Sequence, residues 1–247
     1  MKQNILFIIM ITILTTFTTV NANEAHDIMK KVDDNVRGQN IYMQMNMSIT
    51  SRSHTRTMKM QVWAQGQKKS FVKTIYPPKD RGITFLSLSN QMWQYVPKIE
   101  RIIKIPPSMM LQNWMGSDVT NDDMVKQSSL VEDYEPRIVK KEGTFITLEL
   151  IPKEDAAVVW GKIISEVDTA TYTTTKATFY DEEGDAVRVF TYKDVQKFGR
   201  YYTPMYWRIT PSDKDGSFTE IVIKEVVYDS DISDKYFKKS ALKRFSR

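Results

Sequence analysis

Chemistry in this chain has to be done without a thiol and almost without imidazole. Cysteine is absent and histidine occurs twice, at His26 and His54. That excludes disulfides, thiolate metal sites, thiol catalysis and a lipid-modified N-terminal cysteine. His26 falls in an amphipathic helical pattern and His54 in a polar connection, and neither has a catalytic partner close in sequence. No G-x-S-x-G elbow, phosphate-binding loop or H-E-x-x-H helix occurs. The expectation is a protein that is not an enzyme and uses no cofactor. One acidic cluster, Asp118, Asn121, Asp122 and Asp123, offers the oxygens a hard cation wants. Its spacing does not fit a twelve-residue calcium loop. Thr120 and Asp123 instead have the spacing of a capping box, with Asp122 and Asp123 favoured by the helix dipole, so capping of a short helix is expected and no metal.

Methionine is the more informative residue. The chain has 14, and Met43, Met45, Met47, Met58 and Met60 alternate with polar residues along two adjacent segments. Methionine is flexible and polarisable, which suits a surface that accepts varied apolar ligands. It also fills ordinary cores, and composition alone does not separate the two. Met110, Trp114 and Met115 form a second apolar group in an insertion between strands. The expected sites are therefore a cavity wall of Met43, Met45, Met47, Met58 and Met60 and a lid of Met110, Trp114 and Met115. Trp93, Tyr95, Phe179 and Phe190 are further wall positions, because alternation shows which residues share a face without showing which face is concave.

The elements that would position these residues read clearly. Ile28, Val32 and Val36 recur at helical spacing beside Ala25 and Met29, with Gly38 ending the helix. Thirteen strands follow in two groups. The first runs through Ile41–Thr50, Met58–Gln65, Lys68–Tyr76, Ile83–Ser89, Gln91–Val96 and Arg101–Ile105, with Ser51 to Thr55 joining the first pair. Pro106-Pro107 then stops the pattern, Ser108 to Met115 read as a short helix, and another begins near Thr120-Asn121. The second group runs through Pro136–Lys141, Thr144–Ile151, Gly161–Asp168, Lys176–Tyr180, Ala186–Val195, Arg200–Thr210 and Phe218–Tyr228. Glu142-Gly143, Glu183-Gly184 and Asp215-Gly216 put glycine where a hairpin needs positive φ. No βαβ rhythm appears, so an antiparallel meander with a helical insertion is expected. A sheet of that size, covered by only three short helices, closes on itself or encloses a cavity.

Residues 1–22 predict a cleaved signal peptide. Lys2 leads an uncharged run from Ile5 to Val20, and Val20-Asn21-Ala22 provides the small-residue end. A membrane anchor is the competing reading, but five threonines leave the apolar core too short for a span. The expected mature chain is one domain, 23–247, soluble and without an anchor. Net charge is +5, and losing Lys2 leaves +4. Lys238, Lys239, Lys243 and Arg244 cluster at the end, as a solvated tail or a weak attraction to an anionic membrane surface. Nothing points to nucleic acid.

Trp114-Met115-Gly116-Ser117-Asp118-Val119-Thr120-Asn121-Asp122-Asp123, with Val159-Trp160-Gly161-Lys162, Tyr180-Asp181-Glu182-Glu183-Gly184 and Asp231-Ile232-Ser233-Asp234-Lys235-Tyr236-Phe237, resembles the outer-membrane lipoprotein-sorting protein family, the LolA-like periplasmic carriers. The likeness runs from Ala25 to about Leu242. It implies a mainly β (α+β) fold, an unclosed antiparallel β-barrel whose short helices form a lid over an apolar cavity. It further implies a monomeric periplasmic carrier of lipoprotein acyl chains or other lipids moving toward the outer membrane. The partners it implies are an inner-membrane transporter and an outer-membrane acceptor. Carriers of this kind close the lid with an arginine, which the resemblance does not assign to a position here. The alternative is a non-enzymatic interaction or sensor module working with an envelope membrane protein such as a hydrophobe exporter, with Trp63 and Tyr206 as exposed anchors.

Overall fold

The methionine alternation becomes the central hairpin of the sheet. In β1 (Asn40–Ser51) and β2 (His54–Gln65), Met47 lies opposite Met58, Met45 opposite Met60 and Met43 opposite Val62. All five methionines are buried, because side chains two apart on a strand share a face. The turn is tighter than the expected Ser51–Thr55 connection. Pairing continues to Ser51 opposite His54, with Arg52 at φ 52°. Thr55, expected in the connection, is a strand residue and bonds Thr50 across the hairpin at 3.0 Å, as Thr57 bonds Ser48.

This is a computed structural model, and it describes residues 23–247 apart from 37, 53, 67, 127–129 and 157. The expected signal peptide, 1–22, lies outside the described residues. From β2 the chain steps outward through β3 (Lys69–Tyr76), β4 (Thr84–Leu88), β5 (Gln91–Val96) and β6 (Arg101–Lys104). It resumes at β7 (Tyr134–Glu142) and steps back through β8 (Phe145–Pro152), β9 (Lys162–Asp168), β10 (Thr173–Tyr180), β11 (Ala186–Phe198), β12 (Tyr201–Pro211) and β13 (Phe218–Tyr228). The result is one 13-stranded sheet, ordered β6-β5-β4-β3-β2-β1-β13-β12-β11-β10-β9-β8-β7. Every neighbouring pair is antiparallel. Gly143, Gly184 and Gly216 take φ of 61°, 94° and 73° in the hairpin turns, as the sequence requires.

Strand order has a direct consequence. The first and last strands pair in the middle of the sheet, and the free edges are β6 and β7, which are consecutive in sequence. Residues 105–133 must therefore run from one edge to the other, across one face. The mainly β, unclosed barrel expected from the sequence is the fold observed, and its topology forces a covering segment.

The two faces carry separate cores. The inner face joins the hairpin methionines to Ala25, Ile28, Met29 and Val32 of α1 (residues 23–36). Asn35 locks that helix down. Its Nδ2 donates to the carbonyls of Thr171 (2.7 Å) and Tyr172 (2.9 Å), and its Oδ1 accepts from the Tyr202 N–H at 3.1 Å. The outer face packs Phe71, Leu86, Trp93 and Tyr95 against Ile232, Phe237, Ala241 and Leu242. Those last two belong to α4 (Lys239–Arg244). The basic residues Lys238, Lys239, Lys243 and Arg244 are exposed, as expected of a solvated tail, while the segment that carries them is docked on the sheet. Ala241 and Leu242 have no exposed surface, since small and apolar residues at helical spacing give the segment one face to bury.

Candidate functional site

Residues 105–126 and 130–133 belong to the covering segment, and the first part of it is tied down without a long helix. The expected helix over Ser108–Met115 is replaced by two single 3-10 turns, Pro107–Met109 and Trp114–Gly116. Met115 sits at φ 52°, which no right-handed helix accommodates. The peptide groups pair back on themselves instead. Trp114 N donates to Val119 O at 2.7 Å, Asn121 N to Gln112 O at 3.0 Å, and Asp122 N to Met110 O at 2.8 Å. Two short helices follow, α2 (Asn121–Lys126) and α3 (Leu130–Asp133). The capping box forms reciprocally: Asp123 N donates to Thr120 Oγ1 at 3.1 Å, and Thr120 N to Asp123 Oδ2 at 2.7 Å.

Between this lid and the sheet lies a cavity of about 230 Å³. Met43, Met45, Met47, Val62 and Val72 line it from the first half of the sheet, and Phe179, Phe190, Tyr192, Trp207 and Ile221 from the second. Trp114, Val119, Met124, Val125 and Leu130 line it from the lid, and Trp160 closes one side. Lys68, Lys69, Ser70, Ser87, Asp122 and Asp123 add polar groups to the lining. A second cavity of about 100 Å³ lies beneath α1, sharing Val36, Leu130, Phe179, Tyr192 and Trp207 with the first. An apolar cavity of about 150 Å³ already accepts benzene, so the main cavity has room for a longer apolar segment.

Two arginines from opposite halves of the sheet hold the lid. Arg188 of β11 is buried. Its Nη2 and Nη1 reach Asp123 Oδ1 and Oδ2 at 2.5 and 2.6 Å, and Nη1 also donates to Asp118 O at 3.2 Å. The guanidinium lies over the rings of Trp160, Phe179 and Phe190 at 4.4, 4.7 and 5.0 Å, so both its edge and its faces are used. Arg56 of β2 donates from Nη1 to Met115 O at 3.3 Å and pairs through Nη2 with Asp80 at 2.6 Å. Asp118 closes the set, accepting from the Thr219 hydroxyl at 2.7 Å. Three acidic-cluster residues thus have structural partners: Asp123 in the cap and ion pair, Asp118 on β13, and Asn121, whose Nδ2 donates to Met109 O at 2.9 Å. Among the described residues no group of His, Cys, Asp and Glu is arranged to hold a metal. Burial pushes the Tyr192 hydroxyl pKa well up, with Asp123 adding and Arg188 opposing. Tyr134, also on the wall, is raised by burial and by the nearby Asp133 and Asp122 carboxylates.

The expected site residues separate into three groups. Met43, Met45, Met47, Phe179, Phe190 and Trp114 meet at the cavity. Met58 and Met60 are fully buried in the packed core beside it, and Met110 and Met115 pack partly buried against that core from the lid. Trp93 and Tyr95 lie on the outer face, against the C-terminal helix, because their strand neighbour Met92 takes the inward position. Trp63 stacks on Tyr236 at 4.7 Å, and Tyr206 bonds Glu220; both cover the sheet. Sequence reasoning passed over Arg188 and Arg56. The signal was available: Arg188 shares a face with Phe190 and Tyr192, and Arg56 with Met58 and Met60, so each is a charge on an inward row.

A family model described as an uncharacterized protein matches residues 66–244. A DUF1329 family protein from Desulfovibrio piger superposes with a TM-score of 0.83 at 22% identity, covering 90% of this chain and 99% of that one. A LolA superfamily protein from Nitrosomonas europaea gives 0.74 at 21%, covering 88% and 98%. The chain belongs to the family whose model covers residues 66–244, and its fold is LolA-like. A candidate outer-membrane lipoprotein-sorting protein domain from Vibrio parahaemolyticus shares that fold, with a TM-score of 0.79 at 21% identity over 91% of this chain and 100% of its own. No curated protein matches the chain by sequence. Among the described residues no helix is long and apolar enough to cross a membrane.

Proposed function

We propose that residues 23–247, freed of a signal peptide, form a non-enzymatic periplasmic carrier that takes acyl chains of lipoproteins or other lipids into the lidded cavity and moves them toward the outer membrane. The observation that carries this reading is the cavity itself: a methionine- and aromatic-lined space under a segment that strand order obliges to cross it. Each methylene buried contributes roughly 0.8 kcal/mol, so part of one chain gives useful affinity with no covalent step. Met43, Met45 and Met47 form the wall, Trp114 lies on the lid, and Arg188 with Arg56 holds the lid shut. Release requires those contacts to open, or an acceptor that binds the cargo more tightly. An inner-membrane donor and an outer-membrane acceptor are the partners this cycle needs.

Native mass spectrometry on protein purified without detergent tests the reading, together with uptake of a fluorescent fatty acid. Bound lipid, and uptake lost in Met45→Asp, is the expected result. A uniformly ligand-free spectrum with no uptake would sink it.

A further inference from the structure

Trp114, which lines the cavity, carries a buried donor with no acceptor among the described residues. Trp114 stands on the lid turn with its main chain fully engaged: its N–H donates to Val119 O at 2.7 Å, and its carbonyl accepts from Ser117 N at 3.0 Å and Ser117 Oγ at 2.7 Å. Its ring is 1% exposed and packs on Phe85, with centroids 5.1 Å apart. Its Nε1 is buried and has no acceptor among the described residues. Trp207, on the same cavity, behaves differently and donates its Nε1 to Pro204 O at 2.8 Å.

A buried indole N–H ordinarily finds a partner, since an unmade hydrogen bond costs the full desolvation of the donor. Here the surroundings withhold one. The sheet side of the cavity is mainly apolar, with Met45, Met47, Val72 and Ile221, and the oxygens that also line it, on Ser70, Ser87, Asp122, Asp123, Tyr134 and Tyr192, make no bond to this N–H. Ser117 and Val119 fix the main chain of Trp114, and its ring is packed on Phe85. An acceptor has to arrive with the cargo.

We propose that the cargo presents a carbonyl oxygen, of an ester, amide or carboxyl group at the head of its hydrocarbon chain, to Nε1 of Trp114. The cavity then selects acyl compounds over bare hydrocarbon of equal length. This rests on the carrier reading and narrows its ligand class. It also gives the lid a means of sensing occupancy, because the residue that binds the carbonyl belongs to the segment that must move.

The test compares methyl palmitate, N-methylpalmitamide, palmitate and hexadecane on the intact protein from residue 23 onward. Binding is read by displacement of an apolar dye and by the ¹H–¹⁵N indole resonances. The chain has five tryptophans, and contacts with the Phe85 ring assign Trp114 without a variant. The expected result is a downfield shift of the Trp114 indole proton with the carbonyl ligands and none with hexadecane. The relative response of ester, amide and carboxylate identifies which acyl source fits. Trp114→Phe, which keeps the ring on Phe85, should weaken the best carbonyl ligand about tenfold and leave hexadecane unchanged. Carbonyl ligands that bind with the Trp114 resonance unmoved overturn the proposal, as they would if a trapped water already held that N–H. So does a Trp114→Phe variant with the wild-type preference. Binding of none of the four ligands refutes the carrier reading itself, an outcome distinct from binding without preference.

Discussion

Replacing Arg188 with methionine removes a buried cation whose partner stays behind. Arg188 has a side-chain exposure of 4% and Asp123 one of 15%. Breaking a buried pair by deleting one partner costs about 3–5 kcal/mol, mostly from the charge left uncompensated. Asp123 keeps the Thr120 N–H and some contact with solvent, which places the loss near the lower end, about 3 kcal/mol. Methionine retains much of the contact with Trp160, Phe179 and Phe190, so lost packing adds little. For a chain of this length that lowers the melting temperature by about 6–12 °C. Adding Asp123→Leu removes the stranded carboxylate, because an apolar replacement of a whole buried pair is often near neutral. The Thr120 N–H then lacks its acceptor, which costs about 1 kcal/mol, or about 2–4 °C. The double variant should thus melt above Arg188→Met. Near-ultraviolet circular dichroism on delipidated protein measures this, since bound lipid would raise every melt by mass action. A shift under about 2 °C for Arg188→Met, or a double variant melting at or below that single, would refute the assignment of Arg188 as the latch.

Four further outcomes follow from the same coordinates. Met58→Ala should cost about 2–5 kcal/mol in urea unfolding, because Met58 is packed on all sides, whereas Met43→Ala should cost less and alter fatty-acid affinity more, because Met43 already faces the cavity. Gly161→Ala would put a Cβ 2.4 Å from Asp181 O; a loss of about 1–3 kcal/mol from overpacking is expected, and an unchanged melt would contradict the close approach. Thr120→Ala should cost about 1 kcal/mol and speed hydrogen exchange in α2 more than in the strands. In alkali, burial holds Tyr192 and Tyr134 well above the ordinary tyrosine range and pushes Tyr228 up to about 12. Their contribution to stability is fully present below the unfolded value of about 10 and is lost as pH rises through the folded values. Stability should therefore fall from about pH 10 upward, with phenolate absorbance at 295 nm appearing together with unfolding for these three residues.

Much of the fold was legible because strands and turns are local. The period-two rows at Met43, Met45 and Met47 and at Met58 and Met60 needed only the pleat to become buried faces. The glycines at 143, 184 and 216 needed only the backbone preference of a hairpin turn. The Thr120–Asp123 cap spans three residues and formed as its spacing suggests. Local signals misled where polarity was taken for a loop, as at His54, and where apolar density was taken for a helix, as at Ser108–Met115. In the first case cross-strand hydroxyl pairs satisfied the polar residues. In the second, a left-handed Met115 and cross-segment pairing of the Trp114, Asn121 and Asp122 N–H groups replaced the helix.

Alternation along a strand determined which residues share a face, and with it that Met43, Met45 and Met47 act together. It could not distinguish inner from outer, because both faces of this sheet bury aromatic residues: Trp93 and Tyr95 alternate as well as any cavity residue and yet support the C-terminal helix. That choice depends on strand order, which is set by contacts far apart in sequence. The same order puts β6 and β7 at opposite edges and so turns the segment between them into a lid. It also brings Arg188 to Asp123 and leaves the buried Trp114 Nε1 without an acceptor among the described residues. The residue types were present in the sequence; only the tertiary structure decided which of them meet, because a sheet fixes its neighbours by pairing across the whole chain rather than along it.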